Sequence, residues 1–440
     1  MPVISRRRMI PVPYLVCLLF FLVLPVLAEG TGGMDIGNKI TLPAENQGYS
    51  SPSLSGDSIL FFAGNRQSGS PDLFCYKIST GELTLVCQGG KGLDSWSIAR
   101  IGGRWAVYTK RHRTENQNSV AGQDIFTFDQ DSGRAELLGT SFGTSPGVSV
   151  YDDIVVWENG TTDRIWPGLT NTKEYFVIYN LSTHTRVDFF PRIPDNPDNP
   201  VVYNDLLVYA GSTYHPENRT TVGGAFTSDI FCYNISSGKE MQVSFSGAAY
   251  TPSVSGTLIA WEDNRNGNGD IYLYNLSNFE ELPLCTDPAD QRNPKISGDW
   301  VVWEDRRHQP AQPSVAACPS GTYCPVETPV PPVSDIYLYN LTSKRESWIS
   351  APMGESSDLG GEDQGPDVSG HRVIWTRYGG MFLYPAMNET VPTRYTGPQP
   401  DHAIPGTSPP TTQPAGEGET LLTAFAFIIA VITFTMNRRG

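Results

Sequence analysis

The 440-residue sequence predicts an all-β, seven-bladed β-propeller, and three observations predict it. First, one nine-residue phrase is written three times, as "SDIFCYNIS" at 228–236, "GDIYLYNLS" at 269–277 and "SDIYLYNLT" at 334–342. Self-similarity at a fixed period marks a repeat architecture and is read before any single element. Second, the strand preceding each copy, as in "DWVVW" (299–303), is apolar on both faces, so both faces must be covered. One four-stranded sheet cannot cover itself, whereas radially stacked sheets cover one another and leave only short edges. Third, the last copy stops one strand short, and a strand of the missing kind stands near the start of the chain.

In chain order, residues 1–28 carry three arginines, an apolar stretch, and Val26 and Ala28 at the spacing of a signal-peptidase cut. They read as a secretory signal peptide and are excluded from fold reasoning, with an uncleaved membrane anchor as the alternative. The propeller spans 38–387. Each unit holds an inner strand a, an apolar strand b ending in an aromatic residue, a strand c beginning Asp-Ile-Tyr, and a short outer strand d. The clearest unit is 251–285, and others run over 51–87 and from "NPKISGDWVVWEDRR" to Ser350. Weaker copies surround Trp105 with Asp124, Trp157 with Tyr179, and Tyr209 with Asp229. The seventh, "GPDVSGHRVIWTRYGGMFLYPAM" (365–387), ends after strand c. "NKITLPAENQGYSSPSLSG" (38–56) shares its lead-in with 241–256, so the N-terminal strand is expected to close the last blade beside Phe382 and Leu383. Closure by both termini removes free edges.

The core "SG…IAWEDNR…GDIYLYN" of residues 255–275 resembles the WD-repeat-like blade of TolB-type propellers, and the resemblance covers about 38–387. It implies protein or glycan binding, with enzymes among its members, but the blade motif specifies fold and no chemistry. The Pro-Asp-Gly turn of that family is Ser-Gly-x here, and neither a peptidase domain nor a periplasmic partner domain is read beside the ring.

Residues 388–419 are rich in Pro, Thr, Ser and Gly and read as a stalk, because such a composition cannot bury enough apolar surface to offset ordering. Residues 420–436 contain no charge and are followed by Asn437, Arg438 and Arg439. This is a transmembrane or sorting helix with a basic cytoplasmic end at 437–440; a buried helix and a lipid-replaced tail are the alternatives. The layout resembles C-terminal sorting signals of archaeal surface proteins, although no clear Pro-Gly-Phe tripeptide opens it. The expected location is therefore the cell surface.

The chain carries 31 Lys and Arg against 46 Asp and Glu, and three of the arginines lie in the signal peptide, leaving a net charge of about −18. Phosphate backbones are repelled, which argues against a nucleic-acid partner. Cys318 and Cys324 bracket "PSGTY" closely enough to bridge in an exported protein, and Cys75 and Cys87, on neighbouring strands, either pair or simply pack. Neither pair has zinc spacing, and the six scattered histidines form no close pair, so no metal or other cofactor is assigned.

Insertions at 109–123, 158–174, 211–228 and 306–334 all fall between strands b and c, which marks that face as the binding face unless the loops have drifted without function. Glycosylation sequons at Asn180, Asn234, Asn275 and Asn340 occupy the opposite, c-to-d face. Asn159 and Asn218 lie in b-to-c loops, and Asn388 follows the last strand. The stalk leaves from the c-to-d side, so the insertion face is expected to look outward.

Catalytic residues are not assigned. "GTSPG" around Ser145 fits a nucleophile-elbow pattern, but Pro146 and a following strand deny it the required helix. Asn264, Asn266, Asn268 and Gly269 are spaced like the first ligands of a calcium loop but are neutral, and a tight hairpin explains them better. Glu158, Glu262 and Glu304 follow Trp157, Trp261 and Trp303 at the end of strand b, with Arg265 and Arg306 close behind. Such a ring at the channel mouth would bind a sugar or charged peptide, or would hold blades in register. The aspartates opening strand c (Asp72, Asp124, Asp229, Asp270, Asp335) read as turn-capping acceptors. The leading expectation is a non-catalytic binding protein for envelope proteins or polysaccharide. The alternative is a glycan-active enzyme using the channel-mouth carboxylates.

Overall fold

The computed structural model describes residues 38–39, 48–64, 70–89, 96–113, 120–142, 147–166, 169–194, 196–215, 225–309, 333–350 and 362–384. The signal-peptide stretch, the stalk, the apolar 420–436 segment, Ser145, Cys318, Cys324, Asn218 and Asn388 lie outside them.

The described residues form seven four-stranded antiparallel sheets. Blade 1 is β2 (Tyr49–Ser55), β3 (Ser58–Ala63), β4 (Asp72–Lys77) and β5 (Glu82–Cys87). Blade 2 is β6 (Trp96–Gly102), β7 (Trp105–Arg113), β8 (Val120–Asp129) and β9 (Arg134–Ser141). Blade 3 is β10 (Val148–Tyr151), β11 (Ile154–Trp166), β12 (Leu169–Asn180) and β13 (Thr185–Phe189). Blade 4 is β14 (Asn196–Tyr203), β15 (Leu206–His215), β16 (Ala225–Asn234) and β17 (Lys239–Gln242). Blade 5 is β18 (Ala249–Ser255), β19 (Leu258–Asp263), β20 (Asp270–Asn275) and β21 (Glu280–Cys285). Blade 6 is β22 (Gln291–Ser297), β23 (Trp300–Asp305), β24 (Asp335–Asn340) and β25 (Arg345–Trp348). Blade 7 is β26 (Asp363–Ser369), β27 (Arg372–Arg377) and β28 (Gly380–Tyr384), completed by β1 (Asn38–Lys39).

That last pairing is the closure expected from the sequence. Asn38 lies opposite Leu383 and Lys39 opposite Phe382, antiparallel, so the first strand of the chain is the outer strand of the last blade. The inner strands touch in a closed series, β2 to β6 and onward to β26, which returns to β2.

The core lies between blades. Seven apolar clusters each draw side chains from two adjacent sheets; one joins Leu54, Ile59 and Phe61 of blade 1 to Ile374 and Met381 of blade 7. This is why strand b is apolar on both faces: all six residues of β3 are buried. The aromatic residue late in strand b stacks on its cross-strand partner in strand c, as in Trp261 on Tyr272 at 6.0 Å, Trp303 on Tyr337 at 6.2 Å and Trp375 on Phe382 at 5.8 Å. Offset ring pairs of this kind add about 0.5–1.5 kcal/mol beyond their buried area. In blade 2 that place belongs to Tyr108, stacked on Phe126, while Trp105 opens the strand.

At four of the seven seams a serine at the a-to-b turn links one blade to the next. Ser55 Oγ accepts the Gly103 N–H, Ser255 that of Gly298, Ser297 that of Gly370 and Ser369 that of Gly56, all at 2.9 Å. The receiving glycines sit at φ between 55° and 60°, a conformation that side chains rarely adopt. At the last seam, the Tyr49 N–H reaches the Gly379 carbonyl at 2.9 Å, and a Cβ on Gly379 would lie 2.8 Å from the Gly48 Cα.

Candidate functional site

Antiparallel order places the b-to-c and d-to-a connections on one face. In blades 2, 3 and 4 the expected b-to-c loops are largely paired ribbon: β7 and β8 run out to Arg113 opposite Val120, β11 and β12 to Trp166 opposite Leu169, and β15 and β16 to His215 opposite Ala225. Three neighbouring blades therefore raise hairpins on the same side. The blade-6 insertion falls mostly outside the described residues.

Large apolar side chains stand exposed on this face. Phe142, Phe190 and Phe245 lie in the d-to-a connections after blades 2, 3 and 4, and Phe226 lies in the blade-4 hairpin. Phe190 stacks on Tyr175 at 4.5 Å with the Lys173 ammonium 4.9 Å from its ring centroid, and Phe226 packs on Tyr214 at 5.0 Å. Exposed rings gathered on one face mark interaction surfaces rather than core.

Glu262 and Glu304 lie one residue from the end of strand b and Glu158 within the long β11, and their carboxylates serve the adjoining blade. Glu158 accepts the Asn199 N–H at 2.7 Å, Glu262 the Asn293 N–H at 3.4 Å, and Glu304 the Gly365 N–H at 2.8 Å and the Asn293 amide at 3.1 Å. Each residue donating its backbone N–H sits at positive φ beside a bulge in the next inner strand, immediately before a proline. The partner is thus a strained backbone N–H rather than the arginine of a neighbouring blade. Burial and the nearby Asp198 carboxylate push Glu158 up to about 8, and burial raises Glu262. Trp157, Trp261 and Trp303 are fully buried between blades and do not reach the channel mouth.

Arg265 is held within its own blade. It makes two bonds to the Asp263 carboxylate, at 2.9 and 2.6 Å, reaches Glu281 at 2.6 Å and lies 4.1 Å from the Tyr272 ring centroid. Its equivalent in blade 6 is Arg307, not Arg306: Arg307 contacts Asp305 at 2.9 and 2.7 Å, Glu346 at 2.7 Å and the Tyr337 ring at 4.0 Å. Arg306 reaches Glu362 at 3.5 Å. The indole N–H groups of Trp261 and Trp303 donate to Asp263 and Asp305 at 2.9 Å, so Trp-x-Asp-x-Arg is one structural unit. Aligning "WEDNR" on "WEDRR" letter by letter would have found Arg307 and both aspartates. Where the aspartate is missing, the indole is stranded: the Nε1 atoms of Trp157 and Trp375 have no partner.

In the 264–270 hairpin, amide nitrogens rather than oxygens converge. Asn266 and Asn268 both donate to Asp270, and Asn268 also donates to the Asp287 and Ala289 carbonyls. A calcium ion requires converging oxygens. Among the described residues no group of three or more His, Cys, Asp or Glu is arranged to hold a metal ion. The strand-c aspartates accept hydrogen bonds, as Asp72 from the Gly89 N–H at 2.6 Å, Asp124 from Thr140, Asp229 from the Gly247 N–H and Asp335 from His308.

Cys75 and Cys87 are free thiols, as are Cys232 and Cys285. Cys87 lies opposite Leu73 and Cys75 opposite Thr84, so the two cysteines are diagonal neighbours. Diagonal pairs stand about 7–8 Å apart, beyond the roughly 6.8 Å that a disulfide spans. Of the sequons, Asn180 and Asn340 cap their c-to-d turns by accepting the Thr183 and Ser343 N–H groups, and Asn275 accepts that of Ser277. Asn234 does the same toward Ser237, with its Nδ2 fully buried, and Asn159 is buried with Nδ2 donating to the Tyr175 hydroxyl at 3.0 Å.

The inner strands contribute a ring missed from the sequence. At one shared register stand Ser53, Arg100, Ser149, Val201, Ser253, Lys295 and Asp367. Blades 1, 3, 5 and 7 use this position to accept the backbone N–H of the next blade: Ser53 from Ile101, Ser149 from Val202, Ser253 from Ile296 and Asp367 from Leu54. Arg100 and Lys295 take no part in that stitching. For Lys295 and Asp367 the signal was available in the position after Pro in "NPKIS" and "GPDVS", where "SPSLS" and "TPSVS" carry Ser; Arg100 follows no Pro and had none.

No family model and no curated protein matches the chain. Solved structures do. The β-propeller domain of the Trilobed protease from Pyrococcus furiosus aligns with a TM-score of 0.52 at 12% identity, over 78% of this chain and 96% of that one. Acylaminoacyl peptidase from Pyrococcus horikoshii aligns with a TM-score of 0.51 at 13% identity, over 77% of this chain and 51% of that one. The chain thus spans about half the length of that peptidase. Likeness at these identities establishes the fold: the protein is a seven-bladed β-propeller.

Proposed function

We propose that this is a surface-displayed, non-catalytic binding protein whose propeller presents its b-to-c face to envelope proteins or polysaccharide. In this reading residues 1–28 direct export, 388–419 form a stalk and 420–436 tether the chain to the membrane. The observation that carries it is the set of exposed rings, Phe142, Phe190, Phe226 and Phe245, beside three raised hairpins. Exposed rings suit both sugar stacking and protein contact. The finer likeness to TolB-type blades supports the same class of function. The test is a glycan and envelope-protein binding screen with the soluble fragment 29–395, repeated with Phe142, Phe226 and Phe245 changed to Ser. Loss of the captured ligand in the triple variant is expected, and unchanged capture would sink the assignment of the face.

A second reading, a glycan-active enzyme, is favoured by Glu158, whose hold on its proton is raised by burial and by the nearby Asp198 carboxylate, the direction a general acid needs. Against it, the Glu158 carboxylate is engaged by the Asn199 N–H of the adjoining inner strand at 2.7 Å, the same structural service that Glu262 and Glu304 give. Polysaccharide turnover abolished by Glu158→Gln would establish the enzyme reading.

A further inference from the structure

Arg100, Lys295 and Asp367 stand at the same register of the inner strands β6, β22 and β26, in blades 2, 6 and 7. All three are half-buried, and they interact electrostatically across the centre of the ring. Asp367 is well supplied, accepting the Leu54 N–H at 2.7 Å and the Val368 N–H at 2.9 Å. The cations are not. The one hydrogen bond Arg100 makes goes to its neighbour's carbonyl, Ala99, at 2.9 Å, and among the described residues neither Arg100 nor Lys295 forms an ion pair with a carboxylate. A guanidinium carries five donors and an ammonium three, so most donors of both cations are unused by the protein.

A strongly acidic protein has thus placed two cations without a carboxylate partner on the inner strands. Desolvation lowers the affinity of both for their protons, and Asp367 opposes it. Were these cations only structural, each would be expected to pair with one of the 46 acidic side chains. We propose that the centre of the propeller channel is an anion site in which Arg100 and Lys295 bind a singly charged carboxylate beside Asp367. With both cations protonated and Asp367 ionised, as its two backbone N–H donors and the two cations favour, the three groups sum to +1, so one carboxylate neutralises the site. A dianion would instead leave an uncompensated negative charge in a weakly screened space. The planar fork of Arg100 matches a carboxylate with two parallel bonds, and Lys295 adds a point charge. The proposal stands independently of the reading of the outer face.

The test uses the purified full chain and two probes, sodium acetate and sodium sulfate, compared by calorimetry and by thermal shift at constant ionic strength. Saturable acetate binding is expected, with sulfate weaker. Arg100→Gln should weaken acetate by about 10- to 100-fold, the range of a lost charged hydrogen bond. Arg100→Lys should recover only part of this, since it restores charge without the fork. Asp367→Asn keeps an oxygen to accept the Leu54 N–H and raises the site to +2, so it should invert the preference toward sulfate. Absence of saturable acetate binding in the unmodified chain overturns the proposal, and so does a preference for sulfate that Asp367→Asn leaves unchanged.

Discussion

The Asp367 carboxylate accepts the Leu54 backbone N–H at 2.7 Å, joining the last blade to the first. Serines hold this position in blades 1, 3 and 5, and their hydroxyls accept at 3.0 to 3.3 Å. The shortest of these bonds thus lies at the seam where the last blade meets the first. Replacing Asp367 with Ala strands that N–H and leaves Lys295 and Arg100 without their nearby anion. A loss of about 1–3 kcal/mol is expected in urea unfolding. Ser253→Ala at an ordinary seam should lose less, and equal losses would contradict a special role for the closing seam.

Asp305 is fully buried and receives two bonds from the Arg307 guanidinium, one from the Arg307 backbone N–H and one from the Trp303 indole. Its removal leaves a guanidinium half-buried over Tyr337 with Glu346 alone, so Asp305→Ala should destabilise by about 3–5 kcal/mol. The exposed Arg292–Asp290 pair, at 2.8 Å, is the control: Arg292→Ala should cost less than about 1 kcal/mol. Comparable unfolding midpoints for the two variants would refute the distinction.

Stability should fall as pH rises because of Glu158. Its folded-state value, about 8, lies above its ordinary 4.5, so between those limits the native chain holds a proton that the unfolded chain has released. The native state loses ground across that window. Glu158→Gln keeps an oxygen for the Asn199 N–H and removes the titration. Thermal melts should show the variant gaining on the unmodified protein as pH climbs from 4.5 to 8, and parallel curves would count against the shift.

Asn180, Asn275 and Asn340 are partly exposed at their turns, whereas Asn159 and Asn234 are buried. Glycan attachment to the folded protein is therefore expected at the first three and not at the last two. Glycopeptide mass spectrometry on protein purified from an N-glycosylating host decides this, and occupancy at Asn234 would disprove it.

The sequence by itself determined the ring. A phrase written three times, strands apolar on both faces and a last unit lacking one strand leave few other ways to cover the apolar surface, and Asn38 does lie beside Leu383. It also placed the insertions on one face, because antiparallel order fixes where each connection emerges. What it did not determine was which polar groups meet. Trp261 and Trp303 follow the pattern of a ligand-binding aromatic as well as that of a core residue, and only the adjacent blade, by burying them, decides between the two. The glutamates beside them turned out to serve strained N–H groups on the next inner strand, a partner with no side-chain signature. Arg100, Lys295 and Asp367 are scattered over 268 residues of chain and become neighbours only when the ring closes. Period and polarity are local properties that a sequence carries in plain form, whereas burial and pairing across a channel arise from contacts between units that no single repeat contains.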